Sequence, residues 1–258
     1  MFVAFSIKLG LFPFHFWLAP VYTGTRPSVA AILSGALANI GSYGLLRFGA
    51  DILPRELDYG APVLIVLGAA SIIYGAVQAI SRQSPSEVLA YSAIGQVGYI
   101  MIALALGGEA GLFAVIIYAV INALNKGLLF LSISMRGWLV SVSFGIGAFS
   151  VAGVPPLAGF LGKVAMFQAA VSDRAWVIVG LIFLGSGLSV LYMFQLYRGR
   201  FWATSSDTPE SPSVPRVVVT VIAITLLVVG FWPQPVFELA EQAVTGLLEP
   251  ASSQEALP

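Results

Sequence analysis

Long apolar stretches separated by short polar ones run through the whole chain. A helix needs about 20 mostly apolar residues to cross a bilayer. Eight stretches meet that length, at roughly 1–19, 27–49, 60–80, 86–107, 109–133, 140–171, 174–198 and 214–232. The segments between them carry most of the turn-forming and charged residues: DILPRELDYG, SRQSPSE, MRGW, SDRAW and RGRFWATSSDTPESPSVPR. The pattern predicts an all-α polytopic membrane domain over 1–232, followed by an acidic tail over 233–258. That tail, with Glu238, Glu241, Glu249 and Glu255, is expected to form a short amphipathic helix and then fray.

Two of the eight stretches carry helix breakers at membrane depth. Pro13 lies inside the first, and the sixth contains GVPPLAGF, with Gly153, Pro155, Pro156 and Gly159. Proline removes a backbone donor and clashes with the preceding turn. In lipid, the freed backbone groups must find partners in protein or water. Broken helices of this kind line ion and substrate pathways, although a proline kink in a packing helix gives the same local signal.

Composition agrees with a bilayer as solvent. Of 258 residues, 58% are hydrophobic and 9% charged, and the mean hydropathy is +0.93. A soluble domain carries about 25% charged residues. Twelve basic and twelve acidic residues balance to zero, which argues against a nucleic-acid partner. The absence of cysteine removes disulfides, thiolate metal sites and iron–sulfur ligation, and a single histidine, His15, removes multi-histidine centres. No nucleophile–base pair or nucleotide loop is visible. No cofactor and no chemistry within the chain are therefore expected; an oxidoreductase activity would belong to a surrounding complex.

Eight spans place Arg26, Arg82, Arg136, Arg198, Arg200 and Arg216 on one side, and Arg47, Arg55 and Arg174 on the other. The arginine-rich side is expected to be cytoplasmic, with Met1 and the tail outside. The first residues lack a basic leader region and a small-residue cleavage site. They read as the middle of a polytopic protein, so Met1 is expected to be an internal start or a fragment edge.

The three lysines break the pattern set by the nine arginines. Every Arg lies at or near a predicted loop, while Lys8, Lys126 and Lys163 all lie within predicted spans. Arginine keeps its proton under almost any condition, whereas a lysine can exchange its proton when its surroundings change. A proton relay needs groups that titrate. The competing explanation is snorkelling, in which a lysine within two turns of a span end reaches the headgroups. It is open to Lys8 and Lys126 and harder for Lys163, which follows the second break. Polar residues on the same spans, Asn39, Asn122, Asn125, Tyr91, Ser92, Gln96 and Tyr99, serve equally as interhelical hydrogen bonds or as anchors for ordered water.

Four segments, in order, resemble motifs of a known family. IKLGLFPFHFWLAPVY resembles a K-x4-PFHxWLPxAY segment, SEVLAYSAIGQVGYIM resembles LLAYSSISxxGY, VINALNKGLLFL resembles NHAxxKALLFL, and AGVPPLAGFLGKVAMFQAA resembles AGIPPxxGFxxKxxxF. Together they resemble the antiporter-like membrane subunits: the M, N and L subunits of complex I, related hydrogenase subunits, and the A and D subunits of Mrp-type sodium/proton antiporters. The resemblance implies two inverted five-helix repeats within about fourteen helices, of which the eight stretches match the seventh to the fourteenth. It implies that Lys8, Lys126 and Lys163 form a buried proton-transfer axis, with His15 just past the first break. It further implies partner membrane subunits, protons or Na⁺ as the transported ion, and a multi-pass site in the plasma membrane, or in an organellar inner or thylakoid membrane outside bacteria.

Two positions depart from the family pattern. Asn39 lies where the eighth helix usually offers a Lys or His, and Asn122 replaces the His of NHAxxK. Neither asparagine titrates. A non-conducting scaffold that kept the fold is therefore the alternative to a conducting subunit, and a stand-alone solute transporter is a third possibility.

Overall fold

Helix boundaries follow the glycines and prolines. Residues 1–202 and 213–248 are described by a computed structural model. Helix α1 (Phe2–Leu9) ends where Gly10 turns left-handed at φ 74°, a conformation glycine adopts without a Cβ penalty. The chain then passes through a series of turns to α2 (Leu18–Gly24), the Leu18 amide donating to the His15 carbonyl at 3.0 Å. The freed backbone groups are satisfied by side chains. The Phe12 amide donates to Ser71 Oγ at 3.0 Å, and Trp17 Nε1 donates to the Ile7 carbonyl at 2.7 Å.

Pro27 starts α3 (Pro27–Ile52), which widens twice, over Leu33–Leu37 and Arg47–Ile52. The Ala38 amide there reaches back five residues to the Leu33 carbonyl. Such π-type turns are a rare local expansion of an α-helix. Pro54 opens α4 (Pro54–Ser81) and Pro85 opens α5 (Pro85–Leu106), both at the first helical position, where the missing N–H costs nothing. The segment DILPRELDYG, expected as a loop, is thus mostly helical. Its proline starts a helix rather than preventing one.

Helices α4 and α5 pack through glycine. A Cβ on Gly75 would lie 2.5 Å from the Gly95 nitrogen, and one on Gly68 would lie 2.8 Å from the Gly98 carbonyl oxygen. Only small residues allow backbones this close. Helix α5 is buried along almost its whole length and forms the centre around which the others stand. Helix α6 (Gly108–Ser132) packs beside it.

The second break separates α7 (Trp138–Ala152) from α8 (Ala158–Ser172). Helix α9 (Trp176–Trp202) follows, then α10 (Ser213–Phe231) and α11 (Gln234–Leu248). The axes of the last two differ by 79°. Helix α11 is amphipathic. Ala240 and Val244 are buried, Phe237 meets Phe113 edge-on at 5.3 Å, and Glu238 and Glu241 are exposed. Glu249 and Glu255, the rest of the expected tail, lie outside the described residues.

The protein is all-helical among the described residues. Five helices, α3, α4, α5, α6 and α9, are individually long and apolar enough to cross a membrane, and the bent pair α10–α11 makes a sixth candidate. The eight apolar stretches do not become eight straight helices. The first and sixth are each split by a break into pieces too short to span alone.

Candidate functional site

The break between α7 and α8 is built around Ser150 and Lys163. Gly153 ends α7 at φ 82°, its amide donating to the Ser150 carbonyl at 2.9 Å. The Gly159 amide, at the start of α8, donates to Ser150 Oγ at 2.9 Å. Gly159 lies so close to the Ser150 carbonyl that a Cβ would collide with it. The two half-helices are therefore clasped through one serine.

Lys163, one turn into α8, folds back across this clasp. It is 5% exposed, and its Nζ donates to the Ala152 carbonyl at 2.8 Å. Carbonyls in the last turn of a helix lack intrahelical partners and carry the negative end of the helix dipole. Nζ also lies 5.1 Å from the centre of the Tyr99 ring, whose face attracts a cation. A Cβ on Gly153 would lie 2.6 Å from Lys163 Cδ, so the lysine stem fits only against glycine.

Lys126 is 6% exposed on α6. Among the described residues its ammonium has no hydrogen-bond or ion-pair partner. Asn122 stands one turn before it and Asn125 beside it. The Oδ1 atoms of both asparagines are buried and unpartnered. Both residues line a cavity of about 10 Å³, together with Gln96, Tyr118, Ser150 and Gly159. That is close to the room one water needs. Such a water can donate to the two orphaned oxygens and accept from Ser150, whose own hydroxyl hydrogen is uncommitted. These are the roughly three hydrogen bonds typical of a buried water.

A hydrogen-bonded chain leads away from two of the cavity's lining residues, Tyr118 and Gln96. Tyr118 donates to Gln96 Oε1, and Gln96 Nε2 donates to the Tyr192 hydroxyl at 3.3 Å. Tyr192 shares a bond with Ser92 at 3.1 Å and donates to Ser189 at 3.1 Å. Ser189 in turn donates to the Gly185 carbonyl at 2.7 Å. The chain ends on a backbone acceptor and passes through an amide, which carries protons poorly. Its chemistry suits holding Gln96 and Tyr118 in place.

The first break gathers a different set. His15 lies 4.5 Å from Tyr74 and 5.3 Å from Phe12, ring centre to ring centre, with its Nδ1 buried and unpartnered. Tyr74 meets Tyr91 at 6.2 Å, and Arg82 lies 5.1 Å over the Tyr91 ring. Lys8 is half-buried on α1, with no hydrogen bond among the described residues. Asn39 Nδ2 donates to Gly35 at 2.9 Å and to the Ala119 carbonyl at 3.5 Å, tying α3 to α6.

Of the residues singled out by sequence, Asn122, Asn125 and Gln96 line the cavity, Lys163 stands at the second break, and Lys126 is buried on the helix that carries the two asparagines. His15 and Tyr91 belong to the first break with Tyr74, while Lys8 and Asn39 stand apart. Sequence reasoning does not single out Tyr118, Ser150, Ser189 or Tyr192. Tyr118 is within its reach, because Tyr118, Asn122 and Lys126 fall at four-residue intervals on one helical face.

The chain as a whole is similar to known membrane proteins. Residues 1–189 match the family described as NADH:quinone oxidoreductase/Mrp antiporter, TM. The D-type subunit of the Na(+)/H(+) antiporter of Alkalihalophilus pseudofirmus is 27% identical over 96% of this chain and 55% of its own length. The N-type subunit of the NADH-quinone oxidoreductase of Chloroflexus aggregans is 31% identical over 95% of this chain and 55% of its own length. One polypeptide in the structure of the Mrp complex from Dietzia sp. DQ12-45-1b superimposes with a TM-score of 0.86 at 25% identity, covering 99% of this chain and 60% of that one. The chain spans about half the length of the curated relatives it matches.

Proposed function

Because the chain belongs to the NADH:quinone oxidoreductase/Mrp antiporter transmembrane family, we propose that it is a proton-translocating, antiporter-like subunit of a multisubunit membrane complex. Its eight apolar stretches correspond to the seventh to fourteenth helices of such a subunit, the two broken ones included, and carry the second inverted repeat. The complex is of the NADH-quinone oxidoreductase or Mrp type, in the plasma membrane. The transported ion is the proton, with Na⁺ the alternative.

One observation carries this reading. Lys163 is buried beside a broken helix, bonded to a helix-terminal carbonyl and without an acidic partner among the described residues. Across the break lies a one-water cavity lined by two unpartnered amide oxygens, on the helix that holds Lys126. A proton leaving Lys163 passes to water in this cavity and on to Lys126. Charge on one lysine disfavours charge on the other, so the two are loaded in alternation. Lys8 and His15 extend the path at the first break, and Tyr74 and Tyr91 join His15 to the arginine-rich end.

A second reading, a non-conducting scaffold, draws on Asn39 and Asn122. Neither titrates, and the Asn39 amide is occupied in holding α3 to α6. Transport distinguishes the two readings. With the complete complex in vesicles and a pH-sensitive dye inside, Lys163→Ala is expected to abolish coupled proton transport while the complex still assembles on a native gel. Unchanged transport in that variant selects the scaffold.

A further inference from the structure

We propose that the pocket at the arginine-rich end of the bundle binds the phosphodiester headgroup of an anionic lipid. The pocket holds about 550 Å³ between the end of α4, the start of α5 and the end of α9, a volume in the range of ligand sites. Its polar wall includes Arg82, Arg198, Gln83 and Gln195, and no acidic residue lines it among the described residues. Its other wall is apolar, with Ile80, Val88 and Leu196.

The two arginines are available in different ways. Arg82 is oriented by a bond to Gln78 at 2.8 Å and by the Tyr91 ring beneath it. Several of its five N–H donors are left over. Arg198 is exposed and has no hydrogen-bond or ion-pair partner among the described residues. The turn that carries it widens over Arg198–Trp202 and is anchored where Arg200 grips the Ile133 carbonyl at 2.6 Å. A guanidinium presents a planar fork that matches two phosphate oxygens.

The apolar wall decides between sources of phosphate. The pocket closes off the ends of three helices long enough to span a membrane, so it lies where headgroup meets acyl chain. A free phosphate has no use for Ile80, Val88 and Leu196, whereas a lipid places its glycerol and first methylenes there. Basic pockets between spans on the cytoplasmic side are a recurrent setting for acidic headgroups.

Native mass spectrometry of the full chain, released from neutral detergent, tests the assignment. Phosphatidylglycerol is expected to bind at least fivefold more tightly than phosphatidylcholine, and millimolar inorganic phosphate is expected not to displace it. Each arginine near an acidic surface contributes about fivefold in affinity, so Arg198→Gln and Arg82→Gln are each expected to weaken phosphatidylglycerol by about that factor. Arg55→Gln, at the opposite end of α4, is expected to leave it unchanged. Equal binding of the two lipids, which needs no variant to read, overturns the proposal. So does displacement by inorganic phosphate, or a loss in Arg55→Gln as large as in Arg198→Gln.

Discussion

Gly159 shows how tightly single positions are specified. A methyl group there would run into the Ser150 carbonyl, and Ser150 Oγ caps the Gly159 amide. Overpacking of this kind costs about 1–3 kcal/mol. Gly159→Ala is expected to destabilise the protein by that amount in denaturant melts followed by tryptophan fluorescence; wild-type stability would show that the half-helices are not clasped through this contact. The lysines are legible in the sequence because arginine and lysine are segregated, and arginine cannot serve where a proton must be released. Two of the three are deeply buried and Lys8 only half so. Tyr192 and Ser189 are not legible as neighbours of Gln96. Tyr192 meets it from 96 positions away, and no spacing rule reaches that far.

At the scale of elements, both breaks are readable from glycine and proline together. Gly10 and Gly153 stop a helix by turning left-handed, at φ 74° and 82°, and the prolines just beyond prevent its immediate resumption. Proline alone does not suffice: Pro62 lies inside α4, which continues from Pro54 to Ser81. The widened turns of α3 are illegible: LSGAL reads as ordinary helix, and RFGADI runs from the end of an apolar stretch into a segment expected as a loop. Close glycine contact between α4 and α5 gives an element-scale prediction. In Gly98→Leu the side chain would collide with the Gly68 carbonyl and lie within 2.8 Å of Ile72 at its first carbon. The loss is expected to reach about 3 kcal/mol or more. Gly180→Leu, where nothing lies within 4 Å, is expected to be neutral or mildly stabilising. Equal thermal midpoints for the two variants would mean that the α4–α5 contact does not hold the bundle together.

On the scale of the whole molecule, apolar length predicts more spans than there are straight helices. Counting apolar residues ignores breaks, and the second break is where Lys163, the clasp and the cavity lie. The fold class is legible because a bilayer forces all-helical or barrel solutions, and the four ordered motifs already point to the family that residues 1–189 match. Arg82, Arg198 and Arg200 share a pocket at one end, and Glu109 and Glu241 share one elsewhere, beneath α11. Polar groups of the second break and of α6 lie between.

The relay requires Lys163 to release its proton, and an arginine in its place removes that ability alone. Arginine keeps the positive charge and much of the stem but does not give up its proton. The measurement is the initial rate of dye-reported proton transport in vesicles carrying the complete complex, wild type against Lys163→Arg, at equal amounts of assembled complex. The account predicts that Lys163→Arg falls to the rate of Lys163→Ala. A wild-type rate in Lys163→Arg would mean that a fixed positive charge is all that this position supplies, and would contradict a relay through it.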